Sequence, residues 1–313
     1  MTRSGAGHVS VLACSLALMV SVDRDEERRV REIHLHAGGQ GFWVARMAAR
    51  LGAEVTLVST LGGEPGVALE ALVRSEGLRL SAVESAAPNA VWISDDEEGE
   101  TATVADLPAP SLARHEADSL FNALLAAGLE SEVTVLTGSP PGVLSAERYT
   151  GLAHDLHALD GRVLADLSGD QLVAALDGGV DVVKVAHDEM IAAGFAASET
   201  ARSLLSGARK MRERGAAWVL VSRAEKPLLA DLEGRRVEVQ TPAFHPVNHR
   251  GAGDSMTGAT AAGMAAGLSP EETLRLAVAA GALNVTRHGL GSGDSKAIRR
   301  LAAQVEVSDW PPR

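Results

Sequence analysis

The chain has 313 residues, 46% hydrophobic and 22% charged, with a formal net charge of −12 and a single cysteine. This length and composition exclude a disordered or disulfide-stapled chain, because a soluble fold of about 300 residues buries roughly three quarters of its unfolded surface. The acidic balance excludes a general affinity for nucleic acid or anionic membrane, and a lone Cys14 with no intramolecular partner favours a reducing, cytoplasmic setting.

The first apolar run, Val9 to Val22, is too short to cross a membrane and predicts a buried strand extending to Met19. Val22 to Leu35 is polar and partly β-branched. Gly41 to Leu51 then reads as a helix with Val44, Met47, Ala48 and Leu51 on one stripe and Gly52 as its stop. A strand at Val55 to Leu61 and a helix from Pro65 to Glu76 follow. Ala90 to Val104 is a second polar, β-branched stretch with a turn at Asp95 to Gly99. Non-alternating runs at Val133 to Thr137, Val163 to Leu167, Val180 to Val185 and Trp218 to Ser222 predict strands buried on both faces. Ser269-Pro270-Glu271-Glu272 is a capping box that opens a helix carrying Leu274, Ala277 and Val278. The alternation predicts one α/β domain over residues 1–313 with a mostly parallel central sheet. The polar segments, 20–36 and 88–106, are expected to form a small β lid near the carboxyl ends of the strands, where α/β ligands bind.

Gly251-Ala252-Gly253-Asp254 runs directly into a helix of small residues. Glycines there let backbone N–H groups converge, and the helix dipole adds about half a positive charge, which makes an anion hole. Asp254 reads either as a plain N-cap or as a general base taking a proton from an attacking hydroxyl while the loop holds a phosphoryl group. A second cluster, Ala37-Gly38-Gly39-Gln40-Gly41, opens the first helix. The chain has no Walker sequence, no GxGxxG after a first strand, no HExxH, no GxSxG and no paired cysteines. His34 and His36 alternate without a third ligand and read as surface residues.

Together, GGQG before the first helix and GAGD before a late one resemble the two signatures of the PfkB, or ribokinase-like, carbohydrate kinases. LVSTLGGEPG at Leu57 to Gly66, TGSPPGV at Thr137 to Val143, LADLSGDQ at Leu164 to Gln171 and VVKVAHDE at Val182 to Glu189 also agree. The resemblance covers nearly the whole chain and is nearest the branch of 1-phosphofructokinase and tagatose-6-phosphate kinase. It implies a ribokinase-like three-layer Rossmann-like domain with a β lid through which homodimers form, and it implies ATP with Mg2+ as cofactors. It implies Gly251, Ala252 and Gly253 as anion hole and Asp254 as base, with Gly38, Gly39, Gln40, Trp43 and Met19 at the acceptor. Lys184, Glu189, Ser222, Arg223 and Asn284 fall on the nucleotide side, with Glu189 serving the metal.

Several positions depart from the branch's pattern. An Asp that grips sugar hydroxyls is replaced by Met19, a Lys by Gln40 and an Asn by Trp43, while a phosphate-binding Arg falls near Pro88. On the nucleotide side N-x-x-E has become Ala186-His187-Asp188-Glu189, and a glycine-rich turn has become Ala224-Glu225-Lys226-Pro227. Ahead of the anion hole stand Asn248, His249 and Arg250. Three functions stay open: an ATP-dependent kinase of a non-standard sugar or polyol, a catalytically degenerate relative binding a metabolite or partner, and a conventional 1-phosphofructokinase.

Overall fold

The computed structural model describes residues 7–25, 30–97, 100–240, 250–286 and 290–311. The strands are β1 (His8–Ala13), β2 (Ala17–Asp25), β3 (Val30–Gly38), β4 (Glu54–Leu61), β5 (Arg79–Glu84), β6 (Ala90–Glu97), β7 (Glu100–Leu107) and β8 (Val133–Thr137), then β9 (Arg162–Asp166), β10 (Val182–Ala186), β11 (Trp218–Arg223), β12 (Lys226–Leu232), β13 (Arg235–Val239) and β14 (Val307–Asp309). The helices are α1 (Gln40–Arg50), α2 (Gly63–Ser75), α3 (Arg114–Leu129), α4 (Ala146–Ala158) and α5 (Gly169–Gly178), followed by α6 (His187–Ala192), α7 (Ala201–Glu213), α8 (Ala252–Ala265), α9 (Pro270–Asn284) and α10 (Ser295–Ala302).

Ten strands form one sheet in the order β14-β13-β12-β11-β10-β9-β8-β1-β4-β5, and four form a second in the order β3-β2-β6-β7. From β11 to β5 the large sheet is parallel, whereas β12, β13 and β14 extend it antiparallel. Residues of β8 are buried without alternation because helices cover both faces. One core gathers Val44, Met47 and Ala48 of α1 with Ala259 of α8 and Ala277 of α9; the other gathers residues of α3, α4, α5 and α7 on the opposite face. Ser269 caps α9 by accepting from the Glu272 amide, and Glu272 returns a bond to the Ser269 amide. Among the described residues no helix is long and apolar enough to cross a membrane.

The first apolar run is two strands, not one. β1 ends at Ala13, the fully buried Leu16 anchors the crossing, and Ala17 begins β2 of the second sheet. Both halves are equally apolar, so hydropathy cannot reveal that one pairs with β4 and β8 and the other with β3 and β6. β5 and the β12–β14 extension are also absent from the sequence-based expectation. β5 is half exposed at the sheet edge, and its weak alternation hides it.

The second sheet has two unlike faces. Val20 pairs with Leu35 and Ile93, Leu18 with Ala37 and Val91, and Val91 with Leu107, which collects aliphatic side chains on one face. On the other, Met19 is in register with His36 and Trp92, and Trp92 with Asp106.

Candidate active site

The N-terminal halves of α1 and α8 reach the same residue. Gln40, opening α1, donates through Nε2 to the Asp166 carbonyl (3.2 Å), while Thr257 on α8 donates to Asp166 Oδ2 (2.6 Å). Small residues make this approach possible: a Cβ on Gly258 would stand 2.4 Å from the Val44 carbonyl oxygen of α1. At the α8 N-terminus Gly251 is left-handed, with φ 74° and ψ 1°, a conformation that glycine adopts without steric cost.

Beneath that turn lies a buried charge cluster. Lys184 on β10 and Asp166 on β9 are register partners, so their side chains leave the same face of the sheet. Lys184 Nζ stands 3.2 Å from Asp166 Oδ1, with side chains only 7% and 4% exposed. Gly253 rests on this ammonium, since a Cβ there would come within 2.6 Å of Nζ. Burial works to lower the Lys184 pKa, but the carboxylates of Asp166, Asp254 and Glu189 outweigh it and raise the pKa. Asp254 sits in the first turn of α8. Burial and the negative charges of Asp166 and Glu189 push it up to about 7, against the opposing pull of Lys184. A carboxylate held near neutrality is suited to accepting a proton from a hydroxyl.

Glu189 lies in the first turn of α6, where Oε2 accepts from the Ala186 amide (2.9 Å). Among the described residues no three His, Cys, Asp or Glu side chains converge on one point. A hard divalent ion commonly takes one or two carboxylates together with ligand phosphates. Glu189 and Asp166 are the oxygen donors beside Asp254 that could take part.

The other residues singled out from the sequence take varied places. Gln40 also accepts from the Gly138 amide (2.9 Å), so its side-chain amide bridges the ends of β8 and β9. Gly39 is left-handed at φ 110°, and its carbonyl accepts from the Trp43 amide. Trp43 packs partly buried against the core, and Met19 Sδ lies against Gly38, where a Cβ would stand 2.3 Å away. Met19, Gln40 and Trp43 therefore have three separate sets of contacts. Ser222, at the carboxyl end of β11, is the register partner of Ala186. Arg223 is buried inside the β11–β12 hairpin, donating to the Pro227 carbonyl (2.6 Å) and to Glu238 (2.9 Å). Ala224 in that turn takes φ 50°, a conformation that glycine adopts at lower steric cost. Asn284 is fully buried, donating to the Arg250 carbonyl and accepting from the Gly291 amide, both at 2.9 Å. It thereby fixes the chain just ahead of Gly251. Pro88 packs on Gly63, and the Arg250 guanidinium lies 5.7 Å over the Trp92 ring. Asn248 and His249 lie outside the described residues.

Sequence reasoning did not single out Asp166, Thr257 or Gln171. Gln171 exchanges bonds with the Ser139 backbone and hydroxyl, tying α5 to the loop after β8. The available signal was an acidic residue closing the apolar strand Val163-Leu164-Ala165, at the carboxyl end where ligands gather.

A family model described as pfkB family carbohydrate kinase matches residues 11–297. The 1-phosphofructokinase of Vibrio cholerae is 27% identical over 285 residues, covering 90% of this chain and 89% of the relative. Among solved structures, the tetrameric inhibited form of phosphofructokinase-2 from Escherichia coli superposes with a TM-score of 0.85 at 25% identity, covering 95% of this chain and 99% of that one. Arabidopsis thaliana ribokinase, solved with ribose and ATP, gives a TM-score of 0.75 at 21% identity, with 95% and 99% covered. The fold is ribokinase-like.

Proposed function

The chain belongs to the pfkB family of carbohydrate kinases and is a phosphotransferase acting on a sugar; from that premise we propose that it moves the γ-phosphate of ATP to a hydroxyl of a sugar or related polyol. Asp254 is the general base and Gly251 to Gly253 the anion hole. The observation that carries this reading is the place of Asp254, buried in the first turn of α8 beside Gly253, which rests on the Lys184 ammonium; that burial pushes its pKa up to about 7. In-line transfer needs a proton acceptor for the attacking hydroxyl and positive potential for the migrating phosphoryl group. Asp254 provides the first and the α8 amides with Lys184 the second. Bound Mg2+, held on the Glu189 side, would neutralise phosphate charge.

The second sheet acts as a lid, its Met19, His36 and Trp92 face toward the acceptor. Its aliphatic face leaves Ile33, Leu35 and Leu107 64%, 48% and 42% exposed. That uncovered face supports a homodimer formed lid to lid.

The positions at Gln40 and Pro88 carry no cation, and this favours an acceptor without the usual phosphate. The similarity to 1-phosphofructokinase favours a phosphorylated one. The test is ADP release with ATP and Mg2+ across phosphorylated ketohexoses, their unphosphorylated counterparts and a panel of polyols. Turnover of at least one acceptor that disappears in Asp254→Asn supports the reading. Equal turnover in the variant overturns the role of Asp254, and ATP binding without any turnover points to the degenerate relative.

A further inference from the structure

Arg250 and Trp92 join two parts of the molecule that the chain keeps far apart. Trp92 lies on β6, in register with Met19 of β2, and Met19 in turn touches Gly38 at the end of β3, just ahead of α1. Its ring is oriented by a bond from Nε1 to the Thr103 hydroxyl on the neighbouring strand (3.1 Å). Arg250 immediately precedes the left-handed Gly251, and its own carbonyl is held by the fully buried Asn284. With the guanidinium 5.7 Å over the Trp92 ring, Gly38, Met19, Trp92 and Arg250 form a line of packed or in-register neighbours that ends at the turn before α8. A cation over an indole face is attracted by the ring quadrupole. Here one partner is fixed to the second sheet and the other to the catalytic turn, so the contact has its full strength only when sheet and turn hold one relative position.

We propose that the Arg250–Trp92 contact is a latch between the lid and the anion-hole turn, making both side chains positioning residues for phosphoryl transfer. The proposal rests on the reading of the second sheet as the cover of the acceptor. With the latch closed, the acceptor hydroxyl under the lid and Asp254 on α8 keep one spacing. With it open, each remains intact but their alignment loosens, and small misplacements of reacting groups are costly to rate.

The latch is tested with Arg250→Ala, Arg250→Lys, Trp92→Leu, Trp92→Phe and the Arg250→Ala/Trp92→Leu double variant of the full chain, by steady-state kinetics and by amide hydrogen exchange without substrate. Each disruptive single variant is expected to lower kcat/KM for the acceptor by about two- to thirty-fold, the span of exposed to desolvated cation–π contacts. The KM for ATP should be unchanged, and the double variant should be no worse than the poorer single. Arg250→Lys and Trp92→Phe, which keep a cation and a ring, should recover part of the loss. Exchange in β2, β3, β6 and β7 should rise in Arg250→Ala at unchanged Tm. If the two losses multiply in the double variant, or the exchange of those strands does not move, the latch is overturned. If wild type phosphorylates no sugar or polyol, the proposed function falls, and the exchange measurement still decides the latch because it needs no substrate.

Discussion

The Lys184 ammonium lies 3.2 Å from Asp166 Oδ1 on the adjacent strand, and Gly253, in the first turn of α8, rests directly on it. One ion pair thus supports the sheet and the first turn of α8 together. Removing one partner leaves a buried charge uncompensated, which costs about 3–5 kcal/mol. Lys184→Met should therefore lower unfolding free energy by that order in urea titration. Thr257→Val removes only a hydrogen bond to the charged Asp166 and should cost roughly 1.5–3 kcal/mol.

As the proposed base, Asp254 should set the pH behaviour. With its pKa raised from 3.8 to about 7, the base is half protonated near neutrality, so kcat/KM should fall below that value with unit slope. Glu189→Gln removes one of the carboxylates that raise it and should move this limb to lower pH. Asp254→Asn should lose about 10²- to 10⁴-fold in kcat. Stability gives a separate readout, because between 3.8 and about 7 the folded chain holds a proton that the unfolded chain has released. Stability therefore falls as pH rises across that window. Asp254→Asn should stabilise the protein at pH 8 and leave it unchanged at pH 3, as followed by denaturant midpoints.

Gln40 bonds the Gly138 amide and the Asp166 carbonyl with the two ends of its side chain. Gln40→Ala leaves these backbone groups without that partner and should cost about 1–3 kcal/mol. Gln40→Lys can donate to Asp166 but cannot accept from Gly138. It should therefore remain less stable than wild type even if it improves the KM for a phosphorylated acceptor.

Gly258 allows α1 and α8 to touch. A Cβ there would meet the Val44 carbonyl oxygen at 2.4 Å, a backbone atom that cannot rotate away. Gly258→Ala should separate the helices, lowering stability by about 1–3 kcal/mol and reducing kcat through the displaced first turn of α8. Calorimetry and initial rates on the same preparation check both.

The exposed aliphatic face of the lid should hold two copies together. Leu35→Glu places a charge in that face, and light scattering should then report a monomer, against the dimer expected of wild type. A wild-type monomer at the same concentration would remove the lid-to-lid pairing.

Much of this architecture can be read directly from the residues. The apolar runs that became β8, β9, β10 and β11 are non-alternating and short, and α1 and α9 have readable stripes and caps, so local chemistry fixes their type. The run from Val9 to Val22 reads as one strand because its two strands, which belong to different sheets, are equally apolar. Gly251 to Asp254 reads from the residues as the start of a helix with converging amides, because a helix N-terminus of that kind needs only glycine and direction. Asp166 was not, because its importance comes from register. A single carboxylate at a strand end becomes a hub only when β10 sets Lys184 beside it and α8 sets Thr257 above it.

By itself, then, the amino-acid sequence determined the α/β class, the two glycine signatures and Asp254 as the candidate base, since periodicity, capping and helix-terminal amides are local properties. Tertiary structure alone decided that Gln40 ties β8 to β9, that Arg223 braces a hairpin, that Asn284 holds the turn before Gly251 and that Arg250 meets Trp92. It also decided the raised pKa of Asp254, because the burial and neighbouring carboxylates that cause it come from strands far apart in the chain. Partners of that kind are brought together by the packing of sheet and helices, which no local pattern of residues encodes.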